Sequence, residues 1–234
     1  MLPGIAGLDN VMSAHSYEIL DCRRSTWGIT TGSPVYELVT EAALVTAPDF
    51  IVNVALNRNK ETTGVFSGDL RAAHAAGVEY VKSVAMQRVP EPFDIVITTN
   101  SGYPLDRNLY QTVKGMCAAA SVVKPGGAII VAAQCVDGVP SGSSYQRLLE
   151  KSGTPEGAVK LISSPGFSAL DQWQLQIQAR VQLKAKVCLY SEGLSDEEIK
   201  NAMLTPCHDI EETLAALMVE HGPGAPICVL PEGP

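Results

Sequence analysis

FDIVITTNSGYPLDRNLYQTVKGMCAAASVVKPGGAIIVAAQ, residues 93–134, decides the fold. Its opening run, 93–99, is rich in apolar and β-branched residues, the mark of a strand buried on both faces. AIIVAAQ, 128–134, repeats that signature. Between them a Gly/Pro loop leads into a stretch from about 106 to 122, where Leu109, Val113, Met116, Cys117 and Ala120 recur at helical spacing. Lys124–Gly127 reads as the turn that ends it, and Asp106 as a candidate N-cap. Strand, loop, helix, turn and strand make one βαβ crossover, which should be right-handed. In such sheets ligands sit beyond the carboxyl ends of the strands. The loop after Thr99 and the helix start that follows are therefore the first place to look for a site.

The pattern extends both ways. Downstream, short helices are expected near 144–151 and after Thr154–Pro155–Glu156, where a cap, a first-turn proline and an early acid coincide. Residues 170–185 are ambiguous: Trp173, Leu175, Ile177, Ala179, Val181 and Leu183 alternate with other residues as in a strand. The stretch is long for a strand and rich in helix formers, and KVCLY (186–190) already supplies the next strand, so it is read as a helix. Ser195 caps an acidic helix start, 209–220 forms the last substantial helix, and ICVL (227–230) is a short terminal strand. Upstream, 50–56 and 61–67 suit a hairpin and 69–84 an Ala-rich helix. The first 48 residues are loop-rich, with a helix over 34–45 capped by Ser33. The expected organisation is a short first segment, 1–48, followed by an α/β domain, 49–234. That domain should be three-layered and Rossmann-like, with a mostly parallel sheet.

Composition narrows the functions. Twenty-five acidic against 17 basic residues give a net charge of −8. No basic stripe is present, which argues against nucleic acid or an anionic membrane as partner. The six cysteines form no CxxC pair and read as reduced thiols. With no signal-peptide pattern and no apolar window of about 18 residues, a soluble cytoplasmic protein is expected. No GxGxxG follows the 93–99 strand and no GxxxxGK[ST] occurs, so a nucleotide-dependent dehydrogenase lacks its fingerprint.

Gln111 and Lys114 are three residues apart on the expected helix, away from its apolar face. An amide and an ammonium so spaced can hold one small anion, the ammonium pairing a carboxylate oxygen and the amide a second oxygen. A solvated helix face has the same pattern. His15, in the loop-rich segment, is a single imidazole able to ligate a metal, move a proton or do neither. Trp173 by itself reads as core.

The same residues carry a resemblance. LPGIAG…AH near the start, DFIVNVALN, VFSGDL, GYPLDRNLYQTVKG, VKPGGAIIVAAQ and DQWQ resemble the nickel-dependent lactate racemase family over essentially the whole chain. The resemblance implies interconversion of 2-hydroxy acid enantiomers with a nickel pincer cofactor, a pyridinium mononucleotide carrying thioamide and thiocarboxylate groups. Hydride leaves the substrate Cα, a 2-keto acid forms, and hydride returns to the opposite face while two histidines handle the hydroxyl proton. It further implies His15 as the nickel-ligating histidine, Gln111 and Lys114 as the pair on the substrate oxygens, and Tyr110 and Trp173 as aromatics beside the cofactor. In that family both histidine bases, a substrate arginine and the cofactor-tethering lysine belong to a first domain of which residues 1–48 would be a remnant. The expectation is a C-terminal, substrate-anchoring part, inactive alone and completed by an N-terminal domain in cis or in trans. Two rival readings keep the same fold: a small-carboxylate binding module without redox chemistry, and a structural α/β domain packed on a partner subunit.

Overall fold

The computed structural model describes residues 7–233, so most of the LPGIAG run lies outside the described residues. The chain divides into two compact units, Met1–Arg88 and Val89–Pro234.

The first unit opens with helices α1 (Leu8–Ala14), α2 (Tyr17–Asp21) and α3 (Pro34–Val45). Ser33 caps α3 as its sequence requires, accepting the Tyr36 N–H, and Pro34 occupies the first turn where its missing donor costs nothing. An antiparallel hairpin follows, β1 (Ile51–Leu56) and β2 (Thr62–Gly68). Its turn is held by Asn57, whose Oδ1 accepts the N–H groups of Asn59 and Glu61. One hairpin face packs on α4 (Leu70–Ala85), with the Phe66 and Tyr80 rings 5.4 Å apart. The other presents Val52, Val54, Leu56 and Val65, all exposed.

The second unit is built on a five-stranded, wholly parallel sheet of order β6-β5-β4-β3-β7. Its elements are β3 (Phe93–Thr99), α5 (Leu109–Ala120), β4 (Val123–Ala132), α6 (Ser144–Ser152), α7 (Pro155–Ile162), α8 (Gln172–Lys184), β5 (Lys186–Tyr190), α9 (Asp196–Asn201), β6 (Thr205–Cys207), α10 (Ile210–His221) and β7 (Ile227–Leu230). The chain steps outward from β3 to β6, then returns to place β7 on the far side of β3. With right-handed crossovers that reversal puts α10 on the opposite face from α5 and α8. Ile210, Leu214, Leu217 and Met218 of α10 accordingly pack on Ile95, Ala128, Ile130 and Cys188, while α8 packs on α5, α6 and α7. The result is the expected three-layer α/β fold with a mostly parallel sheet.

Three expectations shift. The units part at Arg88/Val89 rather than at 48/49, because the hairpin and α4 pack on each other and donate no strand to the five-stranded sheet. Strand β4 begins at Val123, so Lys124–Gly127 lies within it as an irregular stretch of its pairing with β3. Helix α5 begins at Leu109 behind Asn108, whose side chain accepts the Gln111 N–H at 3.0 Å. Asp106 is instead a staple: its Oδ2 accepts the Gln134 N–H and its main-chain oxygen the Cys135 N–H.

Candidate functional site

Helix α5 is set against the carboxyl end of β3 by its small and apolar side. Leu109, Thr112, Val113 and Met116 are fully buried, and Gly115 presses so close that a Cβ there would stand 2.4 Å from the Thr99 carbonyl oxygen. That packing turns Gln111, half-buried, and Lys114, exposed, to the other side, one turn apart. Among the described residues no hydrogen bond or ion pair ties either side-chain head group to the protein. An amide and an ammonium are thus available near the positive end of a helix, an arrangement suited to a small carboxylate.

Tyr110, half-buried, is held from α8. Its hydroxyl accepts the Trp173 Nε1–H at 2.9 Å, and its main-chain oxygen accepts from the Gln174 amide. Its ring meets that of buried Tyr145 edge-on, centroids 5.4 Å apart. The sequence-expected Tyr110 and Trp173 therefore touch each other and stand beside Gln111. Gln174 and Tyr145, which hold this corner, escape a sequence reading. Asp171 escapes it too; the only signal for it was an acid before the tryptophan in DQWQ.

A cavity of about 760 Å³ opens beyond the strand ends, lined by Thr99, Ala132 and Tyr190 at the tips of β3, β4 and β5. It lies where the topology of the sheet expects a ligand. Its charged lining is Asp106, Glu192 and Glu232, with no basic residue, and neither Gln111 nor Lys114 faces it. Such a lining repels a carboxylate, whereas the amide and ammonium suited to one stand on α5, outside this cavity.

His15 belongs to the first unit. It closes α1, and its Nδ1–H donates to the Val11 carbonyl oxygen at 2.9 Å. A carbonyl can only accept, so in this bond Nδ1 carries the hydrogen and the ring is oriented by the end of α1. Among the described residues no three His, Cys, Asp or Glu side chains converge on a metal position. Among the described residues no helix is long and apolar enough to cross a membrane.

Residues 89–234, the second unit, match the family model described as the lactate racemase C-terminal domain. Over its full length the chain is 34% identical to the lactate racemases of Thermoanaerobacterium thermosaccharolyticum and of Lactiplantibacillus plantarum, covering 55% of each. The solved lactate racemase apoprotein of T. thermosaccharolyticum superposes with a TM-score of 0.90 at 33% identity, over 98% of this chain and 55% of that one. The chain spans about half the length of the curated relatives it matches. Matched through the whole of its second unit by the family model, the chain belongs to the lactate racemase family.

Proposed function

We propose that these 234 residues are the substrate-anchoring part of a racemase for lactate or a similar 2-hydroxy acid, working through a 2-keto acid intermediate. Lys114 pairs with the substrate carboxylate, and the Gln111 amide donates to the oxygen on C2, holding that oxygen in place as it passes between hydroxyl and carbonyl. Tyr110 and Trp173 form an aromatic wall beside the cofactor. His15 would hold nickel through Nε2, and the nickel pincer cofactor, when bound, supplies a ring that takes up and returns hydride. The bases that move the hydroxyl proton come from a further domain in cis or in trans. The observation carrying this reading is the pair of unengaged head groups, one amide and one ammonium, a turn apart at the start of α5.

Saturation-transfer NMR with L-lactate and D-lactate tests the anchor. Both enantiomers should bind, and Lys114→Ala should weaken binding by roughly tenfold or more, the scale of one charge-assisted hydrogen bond. Equal binding by Lys114→Ala and the parent chain would overturn the anchor. Racemisation with added mature cofactor tests the rest: the 234 residues alone should give background turnover, and sustained turnover would overturn the need for a further domain.

A further inference from the structure

Helix α8 starts in an unusual way. Asp171 stands at its N-cap, where a carboxylate ordinarily accepts a first-turn amide, yet its side chain makes no cap bond. Its backbone is left-handed, φ 64° and ψ 5°, a conformation costly for a residue with a side chain. The helix forgoes a cap and accepts strain at the same residue. In exchange the carboxylate lies against the Tyr110 hydroxyl and the main chain of Tyr145.

The proton inventory points to an acceptor for the Tyr110 hydroxyl. An indole N–H can only donate, so the Tyr110 oxygen is the acceptor in the 2.9 Å bond from Trp173. The phenol still has its own proton to place, and the neighbouring carboxylate is a pure acceptor. We infer that Asp171 is a positioning residue that takes the Tyr110 phenol proton in a Trp173–Tyr110–Asp171 relay and so locks that ring at the start of α5. Burial pushes the Tyr110 hydroxyl up, and the charge of Asp171 pushes it further the same way. Tyr110 is thereby held protonated with both sides of its oxygen occupied, a fixed aromatic wall and not an acid or base. The inference deepens the reading of Tyr110 in the proposed site, and its test needs no turnover.

The full chain carries two tryptophans, Trp27 and Trp173. Trp27→Phe leaves Trp173 as the sole indole reporter. In that background Asp171→Gly is the decisive variant, since glycine adopts the left-handed backbone without strain and keeps the turn. Far-ultraviolet circular dichroism should match the parent. Trp173 emission should change, and Tyr110 phenolate absorbance, isolated as the difference from a matching Tyr110→Phe protein, should appear at lower pH because the adjacent negative charge is gone. Asp171→Glu should move both signals back toward the parent. If folded Asp171→Gly keeps the parent emission and phenolate midpoint, the relay is wrong. Should Asp171→Gly fail to fold, unchanged signals in Asp171→Asn would overturn it equally. Loss of lactate binding in the parent chain would instead sink the anchor and leave the relay standing.

Discussion

Gly115 shows how one missing side chain places a site. Its Cα faces the Thr99 carbonyl, and a methyl there would sit at 2.4 Å, well inside contact distance. Gly115→Ala must push α5 off the end of β3 and carry Gln111 and Lys114 with it. The expected cost is about 1–3 kcal/mol, as for other overpacked positions, together with weaker lactate binding. Urea titration and NMR check the two arms. Glu198 offers a pH test at the same scale. Its carboxylate accepts the main-chain and hydroxyl hydrogens of Ser195 in a capping box, and these bonds hold its pKa below the ordinary 4.5. A depressed folded-state pKa contributes stability that is present above the unfolded value and lost as pH falls through the folded one. The Tm advantage over Glu198→Gln should therefore be full above about pH 5 and fade below 4.5. At this scale the sequence was legible where a residue has one job. Ser33, Thr154 and Ser195 cap helices as their types suggest. Asp106 and Asn108 are both good caps two residues apart, and only the path of the loop, which draws Asp106 to the Gln134 amide, decides between them.

Helix α8 explains why periodicity reads poorly in the middle of this fold. Its alternating pattern mimics a strand because its polar positions are buried too: Gln172, Gln174, Gln176 and Gln178 are each at most 5% exposed. These amides tie loops to the helix. Gln172 accepts the Ala169 N–H, Gln174 reaches Tyr110, and Gln182 reaches Met203. Gln178 bridges the buried Tyr145 hydroxyl to the Ala202 carbonyl. A helix packed on α5, α6, α7 and the sheet leaves only Arg180 and Leu183 exposed, and one of these is apolar, so little solvent face remains to advertise its period. Propensity and the strand that follows identified it where hydrophobic pattern did not. Gln178→Leu removes the bridge and strands the buried Tyr145 hydroxyl, while the Ala202 carbonyl keeps the Gln182 amide, at a cost of about 1–3 kcal/mol. Adding Tyr145→Phe removes that orphan, so the double variant should lose less than the sum of the singles. A double-mutant cycle by urea denaturation reads the coupling directly, and additive losses would show that the bridge contributes nothing. Strand β6 stayed hidden for a different reason: three residues, one of them Pro206, are too short to carry any alternation.

The molecule as a whole is two units, and its sequence blurs their border. The hairpin 51–68 and the helix 70–85 look like the opening of the α/β alternation that follows, so pattern alone runs the second domain back to residue 49. What separates them is pairing, which no single segment encodes: β1 and β2 bond only to each other, and β3 takes β4 and β7 as neighbours. The second unit therefore owns a complete core. Ile95, Val96, Ile129, Ile130, Val131 and Leu189 are buried between helices on both faces, and the family model begins at the same residue as the unit. A parallel sheet needs cover on both faces, and the second unit supplies it from its own helices, α5 and α8 on one face and α10 on the other. Residues 89–234 expressed alone should therefore fold and unfold cooperatively. Trp173 is the one tryptophan they contain, so its emission reports the α5–α8 corner while far-ultraviolet circular dichroism reports the whole sheet. The two urea transitions should coincide, as two-state unfolding requires. Separate midpoints, or a fragment without ordered structure, would mean that the first unit completes the core of the second, and that the anchor on α5 depends on residues before 89.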